Sequence, residues 1–215
     1  MQEGLTRNIG HFSRFLEVAS FSQGQTLNIS GVAREAQVSR AVGENYFSIL
    51  EDLLIAVRLP VFSRRAKQGL VSQGKFYFFD SGVFRAIRPI GPLDSSAEVD
   101  GPALETLVLL ELRAINDCHD HRYQIHFWRT QGGLEVDFVL YGPRGLLAIE
   151  VKRSSRIERK DTRALREFKK DYPPAQCFMF HGGSTPLHMD GVTALPIEQA
   201  LRNLSHLLSG SEAAR

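Results

Sequence analysis

The stretch that most constrains the fold runs from Gly132 to Lys152 and reads GGLEVDFVLYGPRGLLAIEVK. Apolar residues occupy alternate positions on both sides of a Gly-Pro-Arg-Gly turn, and this period of two is typical of β-strands. The stretch therefore predicts a β-hairpin in which Glu150 and Lys152 share a face. Antiparallel pairing can place Asp137 beside Glu150 on that face. Two acids and a lysine in a mostly apolar sheet are costly unless they bind something.

Two interpretations of this hairpin remain open on its residues alone. The first is a surface strand with an ordinary ion pair. The second is a site for a divalent cation, since two carboxylates can hold a hard metal ion and a lysine can stabilise negative charge. The spacing of Asp137 and the triplet Glu150-Val151-Lys152 resembles the PD-(D/E)xK signature of restriction-endonuclease-like nucleases. The resemblance implies Mg²⁺ or Mn²⁺ at Asp137 and Glu150, with Lys152 supporting the attacking water or the developing charge.

A strongly apolar helix is expected to begin at Pro102, in the segment PALETLVLLELRAIN. Glu105 lies on the apolar face of this helix. Nuclease-fold proteins often direct a glutamate from the helix before the first strand at the metal, and the resemblance gives Glu105 that role. The alternative is that Glu105 faces solvent near the helix start, where the helix dipole favours acids.

The N-terminal part of the sequence has the pattern of a helix-turn-helix. An amphipathic helix is predicted over residues 8–19, followed by a short helix capped by Ser30 and a second helix capped by Ser39. The segments VRLPVFSRR and QGKFYFFD predict two strands around a basic loop, which would form a wing. The candidate DNA contacts here are Arg34, Arg40, Asn45, Arg64, Arg65 and Lys67. Because many winged helices bind proteins instead, a protein-interaction role is the alternative.

A second basic region follows the hairpin. Between Lys152 and Lys170 there are nine Lys or Arg residues and three acids. Such a run is a candidate phosphate-backbone footprint, and it also fits an ordinary solvated helix face. The residues carried forward as DNA contacts are Arg153, Arg156, Arg159 and Lys160.

The predicted elements divide the chain into a winged helix-turn-helix domain at residues 1–92 and a second domain at residues 93–215. In the second domain the order helix, three strands, helix, strand resembles the α-β-β-β-α-β core of the restriction-endonuclease fold. The expected fold class is thus α/β (α+β).

Residues 7–170 as a whole resemble the C-terminal part of a poorly characterised group of prokaryotic AAA-type ATPases, in which a winged helix and a nuclease-like domain follow the ATPase module. The resemblance rests on the helix-turn-helix segment and on KFYFFDSGV, GPALETLVLLEL, FWRTQGGLEVDFVL and IEVKRSS. No GxxxxGK[ST] phosphate loop occurs in the sequence, so ATP hydrolysis is not expected. An AAA-type ATPase module is a possible partner.

Composition sets the remaining bounds. The 215 residues are 43% hydrophobic and 23% charged, with a net charge of +2, as in a globular protein. Cys118 and Cys177 are far apart and are expected to be buried free thiols in a reducing compartment. No signal-like start and no membrane-length apolar run is found, which favours the cytoplasm and no membrane partner.

Three functions therefore compete. The first is a magnesium-dependent DNA nuclease that uses Asp137, Glu150, Glu105 and Lys152. The second is a DNA-binding module whose nuclease-like fold does not cut. The third is a protein-interaction module that partners or regulates an AAA-type ATPase.

Overall fold

A computed structural model describes residues 9–63, 74–92 and 94–210. This part of the chain contains eight α-helices and two β-sheets, so the predicted mixed α/β class is confirmed. The chain divides into two compact units. The first comprises the described residues within Met1–Arg58 and Gln73–Thr106, and the second those within Leu59–Ser72 and Leu107–Arg215.

The first unit is mainly helical and carries a three-stranded sheet of order β1-β3-β2, with β1 antiparallel to β3. Its elements before α5 are α1 (Ile9–Ser20), β1 (Gln25–Thr26), α2 (Ile29–Glu35), α3 (Arg40–Asp52), β2 (Ala56–Leu59), β3 (Lys75–Phe78) and α4 (Ser81–Ile87). Leu59, the last residue of β2, already belongs to the second unit.

The caps of α2 and α3 test the predicted helix-turn-helix locally. Ser39 caps α3 as predicted, because its side chain accepts a hydrogen bond from the Val42 N–H at 3.3 Å. The prediction that Ser30 caps α2 is wrong. Asn28 holds that position and accepts from the Gly31 N–H at 3.0 Å. The helix therefore begins at Ile29, one residue before the predicted cap.

Aromatic rings fill the core of the first unit. The ring of Phe47 makes edge contacts with Phe15 at 4.8 Å and with Phe76 at 5.2 Å between centroids. Tyr46 and Phe47 are only 7% and 0% exposed. Both rings therefore belong to the core of the first unit and are not surface rings available for base stacking.

Helix α5 (Ser96–Cys118) is the longest helix of the described chain, and it begins earlier than predicted. Pro102 lies inside it and does not open it. The start is set by Glu98, whose Oε2 accepts the backbone N–H of Ser95 at 2.8 Å, as in a capping box. The boundary between the two units falls within α5, between Thr106 and Leu107, whereas the boundary predicted from the sequence precedes the helix.

The second unit is built on a six-stranded sheet of order β4-β5-β6-β7-β9-β8. The pairs β4–β5, β5–β6 and β8–β9 are antiparallel, and the pairs β6–β7 and β7–β9 are parallel. Its elements after α5 are β4 (Gln124–Arg129), β5 (Glu135–Gly142), β6 (Gly145–Lys152), α6 (Arg163–Asp171), β7 (Gln176–His181), β8 (Leu187–Met189), β9 (Val192–Pro196), α7 (Ile197–Arg202) and α8 (Leu204–Leu208).

The hairpin predicted from Gly132–Lys152 is confirmed. Strands β5 and β6 pair antiparallel with Phe138 opposite Ile149, the register that alternation required. Near the C-terminal end of the described chain, the two short helices α7 and α8 meet at Asn203.

The segment 59–63 belongs to the second unit because it pairs with β4. The N–H of Phe62 donates to the Phe127 carbonyl at 2.7 Å, and the Phe127 N–H donates to the Pro60 carbonyl at 3.0 Å. The Phe62 ring then packs on Phe168 of α6, with centroids 5.9 Å apart. Up to Ser63, where this described range ends, the segment is thus a short strand, β2, followed by an extension along β4.

The two thiols differ in their surroundings. Cys177 is buried as predicted, but Cys118, the last residue of α5, is exposed. Within the described ranges, none of the helices combines the length and the apolar character needed to cross a bilayer.

Candidate functional site

The centre of the candidate site is the pair of strands β5 and β6. Asp137 and Glu150 are both buried, each with 7% of its surface exposed. The Oδ2 atom of Asp137 accepts the backbone N–H of Val151 at 2.9 Å. A hydrogen bond therefore joins the Asp137 side chain to the backbone of Val151, the residue between Glu150 and Lys152.

Lys152 completes the group. Its Nζ lies 3.0 Å from Oε1 of Glu150, and its side chain is 37% exposed whereas that of Glu150 is 9% exposed. Burial alone would lower the pKa of Lys152. The negative charges of Glu150, Asp137 and Asp161 outweigh burial and raise the pKa of Lys152 above its usual value. The lysine is thus held as an ammonium ion by converging acids.

Asp161 is a member of this electrostatic group that the sequence analysis did not select. It lies in the turn before α6, where its Oδ2 accepts the Glu158 N–H at 2.8 Å. In the sequence it looked like one of three counter-charges in a basic run. Its position near Lys152 follows from the path of the chain between β6 and α6.

Glu105 belongs to the first unit, whereas the other three predicted catalytic residues belong to the second. Its Oε2 accepts hydrogen bonds from Tyr77 OH at 2.9 Å and from Lys75 Nζ at 3.2 Å. Lys75 is only 1% exposed, and Glu105 is an anion that pairs with this buried ammonium. The side chain does not face solvent freely, as the alternative interpretation supposed, because it is 20% exposed.

Within residues 9–63, 74–92 and 94–210, no three His, Cys, Asp or Glu side chains form a group that could hold a metal ion. The carboxylates that the structure brings together at Lys152 are Asp137 and Glu150, with Asp161 acting on the lysine through its charge.

Three of the predicted DNA contacts lie exposed on α2 and α3, namely Arg34, Arg40 and Asn45. Arg40 forms an ion pair with Glu44 one helical turn later, at 2.9 Å. Its positive charge is therefore partly balanced at the start of α3. The predicted phosphate contacts Arg64, Arg65 and Lys67 lie outside the described residues.

The second set of predicted DNA contacts, Arg153, Arg156, Arg159 and Lys160, is exposed after β6. Arg159 pairs with Asp190 at 2.8 Å, and Lys160 pairs with Glu158 at 2.9 Å. Because acids already balance these two basic side chains, the pairs support the solvated-face interpretation for part of the run.

His181 is a further buried polar residue beside the group, and the sequence analysis did not select it. It ends β7 and pairs in parallel register with Lys152 of β6. Its Nδ1 accepts the Gly183 N–H at 3.0 Å, and burial lowers the pKa of the imidazole. Only the pairing of strands distant in sequence brings it here.

The described architecture is that of a mixed α/β chain with an acid-acid-lysine group on an antiparallel strand pair. Comparison with known families matches residues 100–200 to the Domain of unknown function (DUF4143) and residues 1–94 to a second Domain of unknown function (DUF8612). The first of these domains is known in proteins associated with AAA-type ATPases. No curated protein and no solved structure gives a significant match.

Proposed function

We propose that the second unit is a divalent-metal-dependent phosphodiesterase that acts on DNA. The observation that carries this proposal is the convergence of Asp137 and Glu150 on Lys152, from two adjacent strands. The element order α5-β4-β5-β6-α6-β7 supports it, because the restriction-endonuclease-like core uses the same order.

The donor set of the pair fits a magnesium ion. Mg²⁺ is usually held by one or two carboxylates together with waters and substrate phosphates, and a full protein cage is not needed. Asp137 and Glu150 would be those carboxylates. When bound, Mg²⁺ or Mn²⁺ lowers the pKa of a water ligand and offsets the negative charge of the phosphate.

Lys152 has a defined role in this proposal. Because its pKa is raised, it carries a positive charge throughout the neutral range. In this proposal Lys152 supports the attacking water or stabilises the negative charge that develops on the phosphate oxygens, and its ion pair with Glu150 holds it beside the proposed metal ligands.

The first unit would supply DNA affinity. The pair α2–α3, joined by a turn at Gln37 with a φ of 58°, has the helix-turn-helix arrangement, and β2 and β3 follow it. Arg34 and Asn45 have exposed side chains, and in this proposal they would contact phosphate and base edges, respectively.

The test is a plasmid-nicking assay with Mg²⁺ or Mn²⁺, combined with calorimetric titration of the metal. The wild type is expected to bind metal and to nick DNA, and Asp137→Asn and Glu150→Gln are expected to lose both. Glu135→Gln is the matched control, because Glu135 is an acid two residues before Asp137 on the same strand. Equal activity of wild type and Asp137→Asn would reject the proposal.

A second candidate function is a non-catalytic module that binds DNA or partners an AAA-type ATPase. The observation that favours it is the engagement of Glu105 by Lys75 and Tyr77 within the first unit. On this view Asp137 and Lys152 stabilise the hairpin. The expected result is then no metal binding and no nicking by wild type, with DNA retardation that is lost in Arg34→Glu.

A further inference from the structure

A cavity of about 680 Å³ lies in the second unit, next to the ends of β6, β7 and β9. These three strands are parallel, so their carboxyl ends meet at one edge of the sheet. In sheets of this kind ligands bind at the carboxyl ends of the strands. The cavity is bounded by Ser155 after β6, by Gly182, Gly183 and Ser184 after β7, and by α7.

The wall of the cavity is tied directly to the candidate catalytic strand. The N–H of Gly182 donates to the carbonyls of Lys152 and Ser154, each at 3.1 Å. A Cβ atom on Gly182 would lie 2.2 Å from the Arg153 carbonyl oxygen. The two loops therefore touch through their backbones, and only glycine permits this approach.

The cavity lies close to Lys152 along the chain. Ser155 lines it and is three residues after Lys152, so their Cα atoms are separated by about 11 Å at most. That span is comparable with the size of one nucleotide. A DNA strand that has one phosphate group at Lys152 can thus have a neighbouring nucleotide in the cavity.

The lining has the chemistry that recognises a nucleotide. Gln199 and Asn203 supply amides, and Arg202 supplies a guanidinium group. Glu198 also lines the cavity, and its carboxylate lies 3.9 Å from the Arg202 guanidinium, so it partly balances that charge. Amide and guanidinium groups are the side chains that read base edges, and arginine also binds phosphate. Pro196 and Ile197 add apolar surface for the face of a base. At the edge of the sheet, Nε2 of the buried His181 makes no hydrogen bond within the described chain.

We propose that this cavity binds a nucleotide that flanks the scissile phosphate, an inference that rests on the proposed function. In this proposal α7 and the loop after β7 bind the flanking nucleotide, which the Asp137–Glu150–Lys152 group does not bind.

The test is calorimetric titration of each of the four deoxynucleoside 5′-monophosphates into the full chain in magnesium-free buffer. The wild type is expected to bind at least one of them. Ser184→Trp, which fills the cavity, is expected to abolish binding. Arg202→Gln is expected to weaken it by about tenfold, the effect of losing one charge-assisted hydrogen bond. Arg163→Gln is the matched control, because Arg163 is an exposed arginine of α6 and is not among the cavity-lining residues.

Three results would overturn the inference: no binding by wild type, unchanged binding by a folded Ser184→Trp variant, or displacement by orthophosphate at equal affinity. Thermal unfolding confirms that each variant is folded. Comparison of mononucleotide binding with plasmid nicking separates the two proposals. Nucleotide binding by a wild type that nicks no DNA rejects the nuclease and retains the cavity only as a nucleotide-binding site. Nicking by a wild type that binds no mononucleotide rejects the cavity alone.

Discussion

The Asp137 carboxylate accepts the Val151 N–H at 2.9 Å, which links the first acid of the motif to the middle peptide of the Glu-Val-Lys triplet. The bond crosses between β5 and β6 one step beyond the Phe138–Ile149 pair. A side chain therefore takes the place of a backbone acceptor at the end of this ladder. The relative positions of the acid and the lysine are set by this contact as well as by the sheet.

Replacing Asp137 by alanine should destabilise the chain, because the buried Val151 N–H would lose its acceptor. The expected loss is about 1–3 kcal/mol in the free energy of unfolding. Asp137→Asn keeps an oxygen at this position and should lose less. Urea unfolding followed by circular dichroism measures both values. A smaller loss for alanine than for asparagine would contradict this account of the bond.

The raised pKa of Lys152 predicts a pH dependence at alkaline pH. In the folded chain Glu150, Asp137 and Asp161 favour the charged lysine, so its folded pKa lies above the unfolded value of about 10.4. The stabilisation is fully present below the unfolded pKa and is lost as pH rises through the folded pKa. Unfolding curves from pH 8 to 11.5 should therefore show a stability difference between wild type and Lys152→Met that shrinks above about pH 10.4. A stability difference that is constant over this pH range would show that the charge of Lys152 contributes nothing to the stability of the folded chain.

Gly182→Ala should be poorly tolerated. Its Cβ would meet the Arg153 carbonyl oxygen at 2.2 Å, so the backbone of one loop must move. Overpacking of this kind costs about 1–3 kcal/mol. Gly132→Ala is the control, since its nearest neighbour would be Thr130 Oγ1 at 3.8 Å. Thermal unfolding should separate the two variants, and equal melting temperatures would argue against the close approach of the loops.

The two cysteines should differ sharply in reactivity. Burial raises the pKa of the Cys177 thiol to about 11, whereas Cys118 is exposed. The thiolate is the reactive form, so iodoacetamide at pH 8 should modify Cys118 and leave Cys177 intact in the folded chain. Peptide mass spectrometry reads both sites, and denaturant should make Cys177 reactive. Equal labelling of both in the native chain would contradict the burial of Cys177.

The sequence predicted the features that depend on local pattern. Alternation specified the β5–β6 hairpin, and Ser39 was recognised as a cap because its bond to Val42 spans three residues. The start of α5 was misplaced because Pro102 was taken as a start signal, whereas the pair Ser95–Glu98 provides the cap.

The parts of the site that the sequence did not predict depend on contacts between distant residues. Glu105 pairs with Lys75 and Tyr77, which lie about 30 positions earlier in the sequence. No periodic pattern in the sequence indicates this pairing. His181 is brought beside Lys152 by parallel pairing, which needs the crossover through α6. Such placements follow from topology and not from the pattern of a single segment.

The parallel pairing of β6 with β7 also divides the site into a part that is local in sequence and a part that is not. The hairpin that carries Asp137, Glu150 and Lys152 closes over a two-residue turn. The wall formed by Gly182 and Gly183 lies beside this hairpin only because β7, which follows the intervening helix, pairs with β6. The acid-acid-lysine group thus depends on strands that are neighbours in sequence, whereas the adjoining cavity depends on a crossover connection.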